Sequence, residues 1–271
     1  MEGEEKKDTA EAVEILGGSS YQLVCEGQSA DDSTSAERTL RILEGTGSAL
    51  TIVRGEAVTD SSSEESCEDT FQERFTQFYE KYTRGLQMVL LEMDLAQIGE
   101  LANALIDTRA RRARIYVIGN GGSAAAASHI AADFSNVKHD NDRFAFRITS
   151  LADNVAAFSA ASNDFGYESG FVNQLRGRLD PGDLVIAISS SGNSRNVVDA
   201  LQYANSQGAS TWAIVGFTGG ALEQCAEHSV YIPTAVGQYG FMEDVTSILN
   251  HILSIFIYEE DSKSTMLKED A

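Results

Sequence analysis

One stretch near the middle of the chain, RIYVIGNGGSAAAASHIAADFSN at residues 114–136, constrains the fold more than any other. It opens with a short apolar run at residues 115–118, which is typical of a buried parallel strand. Three glycines within residues 119–123 predict a tight turn, because glycine tolerates positive φ and close backbone approach. Alanine-rich residues 123–133 then favour a helix. A strand, glycine turn and helix in this order predict an anion site, because the free N–H groups and positive dipole end of the helix face the turn.

Inside the predicted helix, His129 and Asp133 are four residues apart and therefore share one face. Both side chains suit metal chelation or general-base chemistry at that spacing. For His129 considered alone, a capping or core histidine is the competing interpretation. The anion end and this polar face would lie about one to three helical turns apart on one element.

The remainder of the chain alternates apolar strands with helices, as in βαβ units, so we predict an α/β fold with a doubly wound parallel sheet. An apolar stripe predicts two helices over residues 70–112, with Asp94 as a break or cap. Residues 162–167 are predicted to form a polar loop with a glycine turn, and residues 241–258 a strongly apolar closing helix. Further strands are predicted at residues 144–149, 184–188, 211–215 and 230–232.

A second strand–turn–helix junction follows the predicted strand at residues 184–188. Its turn offers four hydroxyls, those of Ser189, Ser190, Ser191 and Ser194. Hydroxyls and helix-start amides suit a phosphate monoester without any lysine. Serine is also common at helix N-caps, so such a turn alone is weak evidence. Two junctions on one parallel sheet support each other, because ligands collect beyond the carboxyl ends of strands.

The charge of the chain is strongly acidic and unevenly distributed. Its formal net charge is −21; residues 1–69 hold 17 acidic and 5 basic side chains, and the rest holds 24 and 15. Such acidity argues against nucleic-acid and anionic-membrane partners. No apolar run approaches the roughly eighteen residues of a membrane span. The three cysteines lack metal-ligand spacing and fit a reducing compartment, so we expect a cytoplasmic protein.

Residues 1–69 are polar, acidic and turn-rich, which predicts a low-complexity and mostly disordered extension. Two stretches within it, residues 21–25 and 49–53, are strand-like in composition. A small flap of paired or docked strands is therefore the alternative. Residues 70–271 are predicted to form the folded domain.

Two segments, GNGGSAAAASHIAADF at residues 119–134 and LVIAISSSGNSRNVVDAL at residues 184–201, together resemble the SIS (sugar isomerase) domain family. The resemblance includes NDFGY at residues 163–167 and the closing helix with Glu243 and His251. It implies that residues 70–271 are an α/β phosphosugar-binding domain. Within the family, the chain is similar to phosphoheptose isomerases, which interconvert sedoheptulose 7-phosphate and D-glycero-D-manno-heptose 7-phosphate.

The resemblance implies a role for each matching residue. Substrate oxygens or phosphate would be held by Asn120, Gly121, Gly122 and Ser123, the phosphate by Ser189, Ser190, Ser191 and Ser194, and sugar hydroxyls by Asn163 and Asp164. Glu243 would also bind the substrate. One Zn²⁺ per subunit would be bound by His129, Asp133, Glu243 and His251. Asp133 and His251 would be the catalytic acid/base pair. The family usually has glutamate at the position of Asp133 and glutamine at that of Glu243.

The implied chemistry is consistent with these side chains. Aldose–ketose isomerisation through an enediol needs a base, and an acid or metal at the carbonyl oxygen. Two histidines and two carboxylates can bind zinc. Glu243 and His251, however, are eight residues apart, about 12 Å along a continuous helix. Either that helix begins near Asp244 or the two residues serve different subunits.

The sequence and this resemblance together predict a cytoplasmic phosphosugar isomerase of the phosphoheptose type, and the resemblance implies a zinc ion in each subunit and a homotetramer. The alternative is a non-catalytic SIS module that binds a phosphosugar or a protein partner as a sensor or regulator. The retained polar site positions favour the enzyme. The two altered positions and the acidic extension favour the module.

Overall fold

The computed structural model describes residues 69–136 and 145–269, with side chains up to residue 263, and the backbone of four strands within residues 1–68. The chain divides into two compact units, Met1–Glu68 and Asp69–Ala271.

The first unit contains four short strands that pair antiparallel in chain order. They are β1 (Ala12–Glu14), β2 (Ser20–Glu26), β3 (Thr39–Leu43) and β4 (Ala49–Val53). The two strand-like stretches at residues 21–25 and 49–53 lie within β2 and β4. The disorder predicted for the rest of this segment falls on residues outside the described ones and stays a prediction.

The second unit opens with two helices, α1 (Phe71–Leu91) and α2 (Leu95–Ala110). Thr70 and Glu73 form a reciprocal capping box that satisfies free N–H groups at the start of α1. Asp94 caps α2 by accepting a hydrogen bond from the N–H of Ala96 at 2.8 Å. The predicted pair of helices with a break at Asp94 is confirmed.

The centre of the second unit is a five-stranded sheet in which every neighbouring pair is parallel. Its strands are β5 (Arg114–Gly119), β6 (Arg147–Ser150), β7 (Leu184–Ser189), β8 (Ser210–Val215) and β9 (His228–Tyr231). The spatial order is β6-β5-β7-β8-β9. All six residues of β7 are buried, as expected for a central strand covered on both faces.

Six more helices flank or follow the strands. They are α3 (Gly121–Ser135), α4 (Val155–Phe165), α5 (Gly170–Leu175), α6 (Arg195–Ser206), α7 (Gly220–Cys225) and α8 (Tyr239–Glu269). Apolar residues of α2, α3 and α8 pack on one face of the sheet, and those of α5, α6 and α7 on the other. None of the described helices combines the length and hydropathy needed to span a bilayer. The predicted α/β fold, a parallel sheet with flanking helices, is confirmed.

The strand order determines where a ligand can bind. The neighbours β5 and β7 continue into α3 and α6, which lie on opposite faces of the sheet. Open α/β sheets bind ligands at such a switch point, in the crevice beyond the carboxyl ends of the strands. The two junctions identified in the sequence meet at this crevice.

The strands predicted at residues 144–149 and 230–232 lie at Arg147–Ser150 and His228–Tyr231, and two further boundaries near the site also differ from the prediction. The predicted loop at residues 162–167 is wrong in its first part, because α4 continues to Phe165 and the turn comes only at Gly166, with φ 88°. Residues 163–165 are exposed, and exposed helical turns are as polar as loops. The closing helix begins at Tyr239 and is continuous, so it does not begin near Asp244.

Candidate functional site

A cavity of about 300 Å³ opens at the carboxyl ends of β5 and β7. Both predicted junctions and the first turn of α8 form its walls. The lining residues are Asn120, Gly121, Gly122, Ser123, Ile188, Ser189, Ser190, Ser191, Ser194, Tyr239 and Glu243. The structure therefore brings together the eight residues predicted from the glycine and serine turns, and adds Glu243 to them.

Three helices begin at this cavity, α3 at Gly121, α6 at Arg195 and α8 at Tyr239. Each helix N-terminus carries about half a positive charge and has N–H groups without intrahelical partners. Among the described residues that line the cavity, none is a lysine or arginine. An anion bound here would be neutralised by backbone amides and hydroxyls, as the sequence predicts.

The serine turn is held rigidly by its own hydrogen bonds. The N–H of Gly192 donates to Oγ of Ser189 at 3.2 Å, and the N–H of Asn193 donates to Oγ of Ser191 at 3.3 Å. Gly192 has φ 64° and lies so close to Gly219 that a Cβ would collide with its carbonyl oxygen. Only glycine fits at this position. The turn is thus preorganised before any ligand binds.

A pair of side-chain amides joins the two junctions. Nδ2 of Asn120 donates to Oδ1 of Asn196, and Nδ2 of Asn196 donates to Oδ1 of Asn120, both at 2.8 Å. The hydroxyl of Tyr167 also donates to Oδ1 of Asn120, at 3.0 Å. Asn196 is 1% exposed and was missed from the sequence. The sequence signal that could have identified Asn196 is a polar residue next to Val197, which belongs to the apolar stripe of α6.

Glu243 lines the cavity and lies against the start of α3. A Cβ on Gly122 would overlap its carboxylate, so the third glycine of the turn makes room for this side chain. Glu243 places a negative charge on one side of a cavity that is otherwise suited to an anion.

A second polar group lies further along α3 and α8. Nε2 of His129 is 3.3 Å from Oδ2 of Asp133, and Nε2 of His251 is 3.8 Å from the same oxygen. The two imidazole rings are nearly perpendicular, with centroids 5.0 Å apart. One ligand atom from each of the three side chains lies within 4.8 Å of the others. Two nitrogens and one oxygen with an open fourth position are a donor set that fits Zn²⁺.

The structure separates Glu243 from these three ligands. Because α8 is continuous, Glu243 and His251 are about 12 Å apart along its axis. Among the described residues, the group that could hold a metal contains His129, Asp133 and His251, whereas Glu243 lines the other cavity. Zinc ligation by Glu243 stays a prediction, and a second subunit would be needed to supply it.

Asn250, which the sequence did not suggest, contacts this group directly. Its Nδ2 donates to Oδ2 of Asp133 at 2.6 Å, and the residue is 2% exposed. Asn163 and Asp164, in contrast, are exposed at the end of α4 and do not line the cavity. Nδ2 of Asn163 donates to Oδ1 of Asp164 at 2.9 Å.

Comparison with known proteins gives one consistent result. A family model described as the SIS domain matches residues 77–216. The phosphoheptose isomerase of Chlorobaculum tepidum is 34% identical over 172 residues, which are 63% of this chain and 82% of the relative. The phosphoheptose isomerase of Akkermansia muciniphila is 37% identical over 137 residues, 51% of this chain and 72% of the relative.

Solved structures agree with these relatives. The phosphoheptose isomerase of Neisseria gonorrhoeae superposes with a TM-score of 0.62 at 25% identity, covering 70% of this chain and 100% of that one. The phosphoheptose isomerase of Francisella tularensis gives a TM-score of 0.63 at 21% identity, covering 70% and 98%. At that identity the second likeness concerns the fold alone.

Proposed function

This chain belongs to the SIS domain family, and from that premise we propose that it is a phosphosugar isomerase acting on sedoheptulose 7-phosphate and D-glycero-D-manno-heptose 7-phosphate. Two relatives more than 30% identical carry the name phosphoheptose isomerase. One structural observation carries the proposal. The group formed by His129, Asp133 and His251 lies on α3 and α8, two of the helices whose N-termini border the anion cavity.

The phosphate would bind at the serine turn. Ser189, Ser190, Ser191 and Ser194 offer hydroxyls there, and α6 begins immediately after them. Glu243 lines the same cavity beside Gly122, where its charge repels phosphate and its oxygens can accept hydrogen bonds from sugar hydroxyls. The sugar would then extend from the serine turn along α3 towards Asp133.

The proton transfer would be carried out by Asp133 and His251. The Asp133 carboxylate accepts a proton from the carbon next to the carbonyl, and the C–H electron pair becomes the double bond of the enediol. His251 donates a proton to the carbonyl oxygen in the same direction of reaction. Asp133 then returns its proton to the former carbonyl carbon while His251 takes the proton of the other hydroxyl, whose oxygen becomes the new carbonyl. His129, Asp133 and His251 would hold a zinc ion, whose polarisation of the carbonyl oxygen would take the place of the proton from His251.

We further propose a cytoplasmic homo-oligomer, a tetramer by resemblance to the family. Large apolar side chains are exposed on α1 and α8, among them Phe71, Phe75 and Phe256. Contiguous exposed apolar surface commonly marks an interface. Asn163 and Asp164 do not line the cavity, so a sugar-binding role for them would need a neighbouring subunit.

The test is a turnover assay with sedoheptulose 7-phosphate, followed by ³¹P and ¹H NMR, with metal analysis of the purified protein. We expect formation of the heptose phosphate by the wild type. The His251→Ala variant should lose this activity but keep substrate binding, because catalysis and uniform binding are separable. If the zinc-loaded wild type binds seven- and six-carbon ketose phosphates without converting any of them, the proposed isomerase activity is excluded.

The position of Glu243 favours a second candidate function. A carboxylate, where the family usually has glutamine, lies in the cavity and away from the metal group. A non-catalytic SIS module that binds a phosphosugar or a protein partner as a sensor would bind the ligand without turnover. The same assay distinguishes the two candidates.

A further inference from the structure

We propose that Asn250 is a positioning residue whose side-chain amide holds the Asp133 carboxylate between His129 and His251. The inference rests on the proposed function in one respect, since the use of that carboxylate as zinc ligand and base belongs to it. The hydrogen bond between Asn250 and Asp133 is observed in the structure and does not depend on that function.

The geometry places Asp133 at the centre of three neighbours. Its Oδ2 is 2.6 Å from Nδ2 of Asn250, 3.3 Å from Nε2 of His129 and 3.8 Å from Nε2 of His251. Asn250 and His251 are consecutive on α8, so their side chains leave the helix about 100° apart. The buried amide therefore reaches the carboxylate from the core side, and the imidazole reaches it from the exposed side.

The surroundings of Asn250 offer its amide few hydrogen-bond partners other than Asp133. The residue borders a small space in the core whose other lining side chains, apart from the hydroxyl of Thr246, are apolar. Thr246 donates that hydroxyl to the carbonyl of Met242 on its own helix. Within the described residues, Oδ1 of Asn250 has no hydrogen-bond partner. Buried polar groups are normally paired, so a half-paired amide in an apolar environment calls for a reason.

The orientation of the amide follows from its partner. Nitrogen and oxygen of an asparagine side chain are assigned from the hydrogen-bond network. A flipped amide would point its oxygen at the Asp133 carboxylate, and two acceptors would face each other at 2.6 Å. The nitrogen must therefore face the carboxylate, which makes the hydrogen bond charge-assisted.

A short carboxylate needs this support more than a long one. The Asp133 side chain is 33% exposed, so packing alone does not fix its orientation. Aspartate is also one methylene shorter than the glutamate that the family usually has here. An amide donates at every pH and cannot take a proton from the site. Hydrogen-bonded partners of this kind orient metal-binding carboxylates and change the affinity of the site for the metal.

The experiment compares Asn250→Leu with Thr246→Val, a change of similar size in the same core space. Zinc affinity is measured by competition with a chromophoric chelator, and melting temperature on the metal-free proteins. We expect Asn250→Leu to bind zinc about 10–100-fold more weakly, as for other partners of metal ligands. Its melting temperature should change little, because the loss of the hydrogen bond to Asp133 and the removal of an unpaired polar atom from the core act in opposite directions. Thr246→Val should leave zinc affinity unchanged. Unchanged zinc affinity in Asn250→Leu would overturn the proposal.

A second measurement works without metal. The side-chain amide of Asn250 is observed by NMR after selective ¹⁵N-asparagine labelling. Asp133→Ala should shift this resonance and accelerate its hydrogen exchange, whereas Ser254→Ala, a change on the same helix, should do neither. An amide signal that ignores Asp133→Ala refutes the contact, even if Asn250→Leu fails to fold. A wild type that binds no zinc would remove the metal from the proposed function, while this measurement still decides the role of Asn250.

Discussion

The hydroxyl of Tyr82 on α1 donates a 2.6 Å hydrogen bond to Oδ2 of Asp244 on α8. The Tyr82 ring also packs against Phe241, with centroids 4.7 Å apart, and lies over Gly240, where a Cβ would be 2.8 Å from the hydroxyl. Because Glu243 is the next residue to Asp244, these contacts fix the wall of the cavity that Glu243 forms.

Replacing Tyr82 by phenylalanine tests how much this contact stabilises the fold. Hydrogen bonds to charged groups contribute about 1.5–3 kcal/mol, and partial exposure of Tyr82 reduces the expected loss to about 1 kcal/mol. Urea unfolding at neutral pH measures it. Tyr79→Phe, on an exposed position of the same helix, is the control and should cost nothing measurable.

The same variant makes a pH prediction. The hydrogen bond to Asp244, with burial and the negative charges nearby, raises the pKa of Tyr82 from 10.0 to about 12. A pKa raised in the folded state gives a stabilisation that is complete below pH 10 and is lost as the pH rises towards 12. The difference in unfolding free energy between wild type and Tyr82→Phe should therefore be constant below pH 10 and shrink above it. A difference that grows above pH 10 would contradict the assignment.

Removal of single hydroxyls tests the anion cavity. Ser191→Ala and Ser123→Ala should each weaken phosphosugar binding by about 1.5–3 kcal/mol, the usual value for a hydrogen bond to a charged group. Isothermal titration calorimetry gives the affinities, and circular dichroism confirms the fold. Ser206→Ala, at the far end of α6, serves as the control. Unchanged affinity in both site variants would disprove the shared pocket.

The rigidity of the serine turn can be tested with two glycines. Gly177 has φ 72° and open space where a Cβ would lie, whereas Gly192 has φ 64° and the carbonyl of Gly219 in that place. Gly177→Ala should cost only the left-handed backbone penalty, about 1–2 kcal/mol. Gly192→Ala should cost more and abolish phosphosugar binding, because the turn must move away from Gly219. Equal melting temperatures and affinities for the two variants would refute the preorganised turn.

Lengthening Asp133 tests whether the site is built around an aspartate. Asp133→Glu adds about one methylene, and displacements of about 1 Å in an active site can cost a hundredfold in rate. We expect the loss in kcat to be large in the wild-type background and smaller in the Asn250→Leu background, where leucine imposes no hydrogen-bond geometry. A gain in activity on Asp133→Glu alone would instead indicate a former isomerase now used for binding.

Deletion of residues 1–68 tests the independence of the second unit. The cut leaves Thr70 and Glu73, so the capping box of α1 remains intact. Acidic segments of low hydrophobicity seldom supply core contacts, so melting temperature and phosphosugar affinity should stay unchanged. A marked drop in melting temperature would show that the strands of the first unit stabilise the domain.

The parts of the site that follow from local sequence could be predicted, and those that depend on distant partners could not. Both junctions could be located because an apolar strand and the glycine or serine turn that follows it are recognisable from consecutive residues. The buried amides of Asn196 and Asn250 have partners 76 and 117 residues away. A single polar residue in an apolar helix shows that something unusual is buried there, but not which side chain it meets. The separation of Glu243 from His251 depended on whether α8 was continuous.

Three helix ends create a site that recognises an anion at contact but has little power to attract one from a distance. Their partial charges act over about the first turn, whereas the chain as a whole carries a charge of −21. The net negative charge repels an approaching phosphosugar once it comes within roughly a Debye length, about 8 Å in physiological salt, and the helix ends attract it only at contact. Association should therefore become faster as salt is added, the opposite of proteins that collect anionic ligands with lysine and arginine. Selectivity in such a protein comes from the contacts made after binding, and the association rate contributes little to it.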